Sequence, residues 1–209
     1  MSAEFEFANV FYRSRITLME LLESRGFEVA PYSRFSPKEM KAMATHFTSA
    51  EFSAPHKEDP EKKCLVLYYD SKFKGNTPKI AAEKLTDAIL DKLEVIVLLN
   101  DTRVSETYDA ITLNEWLAHK VRVSIFSVYN LANNPTKHVL VPPHEKVPED
   151  QHPVLLEKLM TSSKYQLPVI RVHADMQARW LGLVPGDIVK ITRPSPSAGV
   201  YEVYRVCTP

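Results

Sequence analysis

The sequence predicts two parts of different class, an α/β domain over residues 1–135 and a small α+β domain over 136–209. Three observations predict it. Ten of the 15 prolines fall at or after Pro135, and none lies between Pro78 and Pro135, where regular elements need every backbone N–H. Three of the five glycines, Gly182, Gly186 and Gly199, lie in the last 28 residues, marking a turn-rich segment. The apolar runs 64–69 (CLVLYY) and 95–99 (VIVLL) suit strands buried on both faces. A junction at Asn133-Asn134-Pro135 divides the parts.

The elements follow in order. Phe7, Val10, Phe11, Leu18, Leu21 and Leu22 recur at three- and four-residue steps with Glu and Arg opposite, and Gly26 follows, which predicts an amphipathic helix. Ser36-Pro37-Lys38-Glu39 opens a second helix. Ser caps it, Pro suits its first position and Glu completes a capping box, with Met40, Met43, Ala44 and Phe47 on the buried side. After strand 64–69, Thr77-Pro78 starts a helix to about Leu90; strand 95–99 follows, then a helix reaching Lys120 and a strand at 121–126. That alternation predicts an α/β layer with some parallel pairing. In the second part a short helix covers 153–160, Leu167-Pro168 precedes a strand, and Asp175 caps a brief helix that stops at Gly182. Val184-Pro185-Gly186-Asp187 reads as a type II turn, and two strands, 188–193 and 200–206, are joined by a loop from Pro194 to Gly199.

Composition sets bounds on function. With 44% hydrophobic and 25% charged residues, the 209-residue chain buries a core. Basic and acidic residues balance at 26 each, so no whole-molecule field draws it to nucleic acid or an anionic membrane. The two cysteines, Cys64 and Cys207, form no CxxC pair, which indicates a reducing compartment. The N-terminus MSAEFEFANVFYRSR breaks any signal-peptide core and no apolar run is long enough to span a bilayer, so a soluble, intracellular chain is expected.

Catalytic motifs are few. Asp70-Ser71-Lys72 at a strand end has the D-x-K spacing of magnesium nucleases, but an acid two residues before a lysine recurs at Glu39/Lys41 and Glu61/Lys63. The seven histidines include no HExxH pair, and no P-loop, GxGxxG or GxSxG is present. No catalytic residue, metal or cofactor is expected. Arg171, Arg193 and Arg205 sit on or beside strand-like segments, where a planar fork can hold a carboxylate in two hydrogen bonds. The terminal strand carries large side chains on both faces, which suggests that its outer side meets another chain.

The second part also carries a resemblance. His138-Val139-Leu140-Val141-Pro142-Pro143-His144 resembles the H-x-L-V-P-x-H segment of the small subunit shared by the three nuclear RNA polymerases and, in a shorter form, by archaeal polymerase. Leu167-Pro168, Arg171, Asp175, Ala178-Arg179, Leu181-Gly182, Gly186, Val189-Lys190-Ile191, Arg193, Ser195, Ala198-Gly199, Tyr201 and Tyr204-Arg205 follow in the family's order and spacing. Two departures stand inside the motif: Asp175 is followed by Met176, where family members usually have proline, and Val184-Pro185 replaces residues that are often basic. The first part resembles the eukaryotic subunit's jaw domain only in length and order of elements.

The resemblance implies a nuclease-like three-layer jaw domain at 1–135 and an assembly domain at 136–209. It implies a non-catalytic nuclear subunit whose assembly domain docks on the largest polymerase subunit and neighbouring small subunits. Downstream duplex DNA would be met weakly, only in the assembled enzyme, and no membrane or small-molecule substrate is implied. His138, Leu140, Val141, Pro142, His144, Arg171, Asp175, Arg179, Arg193, Tyr204 and Arg205 would face the partner, while Leu167, Pro168, Gly182, Gly186 and Gly199 would shape the domain. A free-standing α/β adaptor or magnesium-dependent nuclease is the alternative.

Overall fold

The computed structural model describes residues 3–46, 50–70, 93–101, 107–197 and 199–209. The chain forms two compact units, Met1–Asn134 and Pro135–Pro209, each with its own four-stranded sheet.

In the first unit, helix α1 (Ala3–Ser24) is followed by Gly26 at φ 86°, a conformation that glycine adopts without a Cβ penalty. Helix α2 (Pro37–Thr45) begins with the capping box read from the sequence: the Ser36 side chain accepts from Glu39 N–H, and the Glu39 carboxylate accepts from Ser36 N–H. Of its expected buried side, Met43 and Ala44 are half-buried; Phe47 and the Met40 side chain lie outside the described residues.

The sheet has the order β1 (Phe52–Pro55), β2 (Lys63–Asp70), β3 (Leu93–Asn100), β4 (Arg122–Ser127). The β2, β3 and β4 strands are parallel and β1 is an antiparallel edge, where Pro55 at the strand end is tolerated. Strand alternation sends Leu67, Tyr69, Val95, Val97, Leu99 and Ile125 into one buried cluster, while Tyr68 on the other face meets Phe11 of α1 edge-on. Helix α3 (Thr107–His119) leads into β4. The helix expected at 77–90 and the Asp70-Ser71-Lys72 side chains lie outside the described residues.

One expectation for α1 is corrected. The arginines of α1 are expected opposite its apolar residues, but Arg15, four residues after Phe11 and three before Leu18, lies on the apolar side and is only 4% exposed. Its guanidinium lies 4.2 Å from the Phe52 ring centroid and 5.3 Å from that of Phe35, and Nη1 donates to the Tyr68 hydroxyl (3.0 Å) and Ala50 carbonyl (3.2 Å). Aromatic faces and two acceptors replace the water that the cation loses. At the start of the parallel sheet Glu94 pairs with both Arg25 and Arg122, 3.2 Å from the latter. Burial, with Arg122 adding repulsion, draws the Arg25 guanidinium down to about 9, still charged at neutral pH.

The second unit is a mixed sheet in the order β5 (His144–Val147), β7 (Ile188–Ser195), β8 (Gly199–Thr208), β6 (Val169–Arg171). Helices α4 (His152–Lys158) and α5 (Met176–Trp180) connect its strands. Asp175 caps α5 by accepting from the Gln177 and Ala178 N–H groups. The turn before β7 has Gly186 at φ 96° and a hydrogen bond from Asp187 N–H to Val184 C=O, as a type II turn requires. A Cβ at Gly186 would stand 2.9 Å from Lys164 Nζ, the mobile end of a side chain, so it is the backbone conformation that calls for glycine there.

The hairpin is tighter than the sequence suggests, because the strands continue through Pro194 and Gly199 instead of opening into a loop there. Pro194 is tolerated because Thr192 N–H, two residues earlier and pointing the same way, already bonds beyond β5, to Pro143 C=O. The β5 strand is a further element that the sequence did not announce.

Candidate functional site

Antiparallel pairing places Val189 opposite Arg205, Ile191 opposite Val203 and Arg193 opposite Tyr201, so these six side chains share one face of the second sheet. Its apolar members join Ile170, Ala178, Leu183 and Cys207 in the buried cluster beneath α5. Arg193 and Arg205 rise from the same face. With Arg171 at the exposed end of β6, and with His144, Ile191 and Asp175, they line an open depression of about 650 Å³.

The polar groups there are unequally satisfied. Arg205 Nη1 donates to Val169 C=O at 2.9 Å, and His144 Nδ1 donates to Pro142 C=O at 2.7 Å. Asp175 Oδ1 already accepts two bonds as the α5 cap. Arg193 Nε is buried with no acceptor among the described residues. The depression therefore presents more positive than negative charge, including one buried donor in want of an acceptor.

Other residues singled out from the sequence lie elsewhere. His138, Leu140, Val141 and Pro142 form the turn before β5, where His138 C=O accepts from Val141 N–H and His138 Nδ1 from Leu140 N–H. Val139 and Leu140 are 92% and 82% exposed at its tip. Arg179 is half-buried on α5. Tyr204 points to the opposite face, where it donates to Glu202 at 2.7 Å beside Lys190 and Glu145; burial first, then that bond, pushes its hydroxyl up to about 12. Pro168, read as a shaping residue, also supplies the carbonyl that accepts Val206 N–H at 2.9 Å.

The terminal strand, read from its large side chains as meeting another chain with its outer side, also has an open edge. The β6 strand covers β8 only along Val206–Thr208, so on the side away from β7 no strand pairs with Val200–Arg205 among the described residues. Val200 and Tyr201 on that stretch are 61% and 42% exposed. Two large side chains in succession on a terminal strand were the legible signal. Among the described residues no group of three metal-ligating side chains gathers, and no helix is long and apolar enough to cross a membrane.

An open strand edge, an exposed apolar turn and a shallow cationic depression stand together on one small unit. Comparison with known proteins gives it a family. RNA polymerase Rpb5, C-terminal domain, matches residues 133–207. A Dictyostelium discoideum protein named as a subunit of DNA-directed RNA polymerases I, II and III is 29% identical over 95% of this chain and 98% of its own length. The DNA-directed RNA polymerase subunit Rpo5 of Pyrococcus horikoshii is 50% identical over 70 residues, 34% of this chain and 83% of its own. An Arabidopsis thaliana subunit, 5B of RNA polymerases IV and V, is 27% identical over 93% of this chain and 88% of its own length. The chain belongs to the Rpb5/Rpo5 family of DNA-directed RNA polymerase subunits.

Proposed function

We propose that this polymerase subunit performs no chemistry of its own and acts as an assembly and jaw subunit. Residues 136–209 dock on the largest polymerase subunit and neighbouring small subunits. His138, Leu140, Val141, Pro142, His144, Arg171, Asp175, Arg179, Arg193, Tyr204 and Arg205 supply contacts. Residues 1–135 form a nuclease-like three-layer part of the lower jaw near downstream duplex DNA. With basic and acidic residues equal in number, the DNA contact is confined to backbone phosphates, weak, and dependent on the assembled enzyme. The protein works in the nucleus, without a cofactor.

The observation that carries the reading is that the family match, 133–207, falls on the unit bearing the exposed Val139-Leu140 turn and the open β8 edge. Affinity purification of the tagged full chain, washed at rising salt, tests it. Polymerase subunits should be recovered in near-stoichiometric amount, with the largest subunit the last to leave. Recovery without the largest subunit, or of no polymerase at all, contradicts the reading.

A further inference from the structure

We propose that the depression formed by Arg171, Arg193 and Arg205 grips a carboxylate side chain of the polymerase subunit on which this chain docks, an inference that rests on the docking reading above. Arg193 and Arg205 stand on the same sheet face, and Val169, Ile170 and Ile191 line the depression with them, so the lining between the charged groups is partly apolar. A carboxylate lowered onto such a lining is partly desolvated, which strengthens each hydrogen bond that it accepts. Arg205 is held by its bond to Val169 C=O, and a pinned fork loses little freedom on binding. The buried Arg193 Nε, which no acceptor among the described residues satisfies, is the donor that such an anion would complete.

Charge and shape select a protein carboxylate over nucleic acid. A phosphate backbone is met by a row of separated cations along a groove, whereas these three arginines converge on one depression of about 650 Å³. The Asp175 carboxylate on its rim, engaged in the α5 cap, disfavours a polyanion that runs past it. One acidic side chain, approaching between Arg193 and Arg205, fits both the space and the sign.

The test uses the full chain in assembled polymerase. R193K places a primary amine in the depression, and a water-soluble carbodiimide joins an amine to an adjacent carboxylate as an amide, taking up the water that is lost. Mass spectrometry of the purified complex should find R193K linked to an aspartate or glutamate of another polymerase subunit, at least tenfold above any signal at that position in wild type. R171K, at the exposed end of β6, repeats the test should R193K not assemble. Co-purification without an intersubunit link from either variant, or links only to Asp175, overturns the depression proposal and leaves docking standing. Failure of the wild-type chain to co-purify overturns docking and this inference together.

Discussion

Cys64 and Cys207 are the chain's two cysteines, one in each unit, and neither is exposed. Burial, the largest cause for both, pushes their thiols up from 9.0 to about 12. An unfolded thiol ionises near 9 while the folded one stays neutral, so this contribution to stability is intact below pH 9 and is lost as the pH rises towards 12. Two outcomes are expected. The native protein should give no reaction with a thiol reagent at pH 8 and two equivalents after denaturation. Denaturation midpoints should fall between pH 9 and 12, less steeply in C64A. Rapid labelling of native protein at pH 8 would show that the buried environment is wrong. Glu94, clamped between Arg25 and Arg122, illustrates the same rule for charges, which are buried here only in company.

Elements differ in how plainly the sequence announces them. Helix α1 is legible because its apolar residues repeat at helical spacing over several turns, and α2 because Ser36 and Glu39 cap each other within four residues. Strands β2 and β3 show as unbroken apolar runs. The β1 and β5 strands have four residues each and carry Pro55 or the charged pair Glu145-Lys146, so neighbouring strands, not their own composition, make them strands. The depression is less legible still. Its arginines come from three strands, and only the β7–β8 register puts Arg193 and Arg205 on one face. Arg15 misleads by its charge and not by its period, because the rings that shelter it come from Phe35, Phe52 and Tyr68 on other segments. The α5 cap gives a prediction at this scale: Asp175→Ala should cost about 1 kcal/mol in chemical denaturation, since the first turn of a short helix loses its acceptor. An unchanged stability would show that the cap is dispensable.

At the scale of the whole molecule, two units with separate sheets and separate cores suit a division of labour. The archaeal relative aligns along 34% of this chain, at 50% identity, whereas the Dictyostelium relative runs along 95% at 29%. The family match, residues 133–207, falls on the second unit. Attachment should consequently reside in the second unit, whatever the first approaches. Tagged chains lacking either unit, expressed in cells with intact polymerase, test this most directly. The account predicts that the chain without residues 1–134 still brings down the largest polymerase subunit and that the chain without 135–209 does not. Recovery by the first unit alone would contradict it.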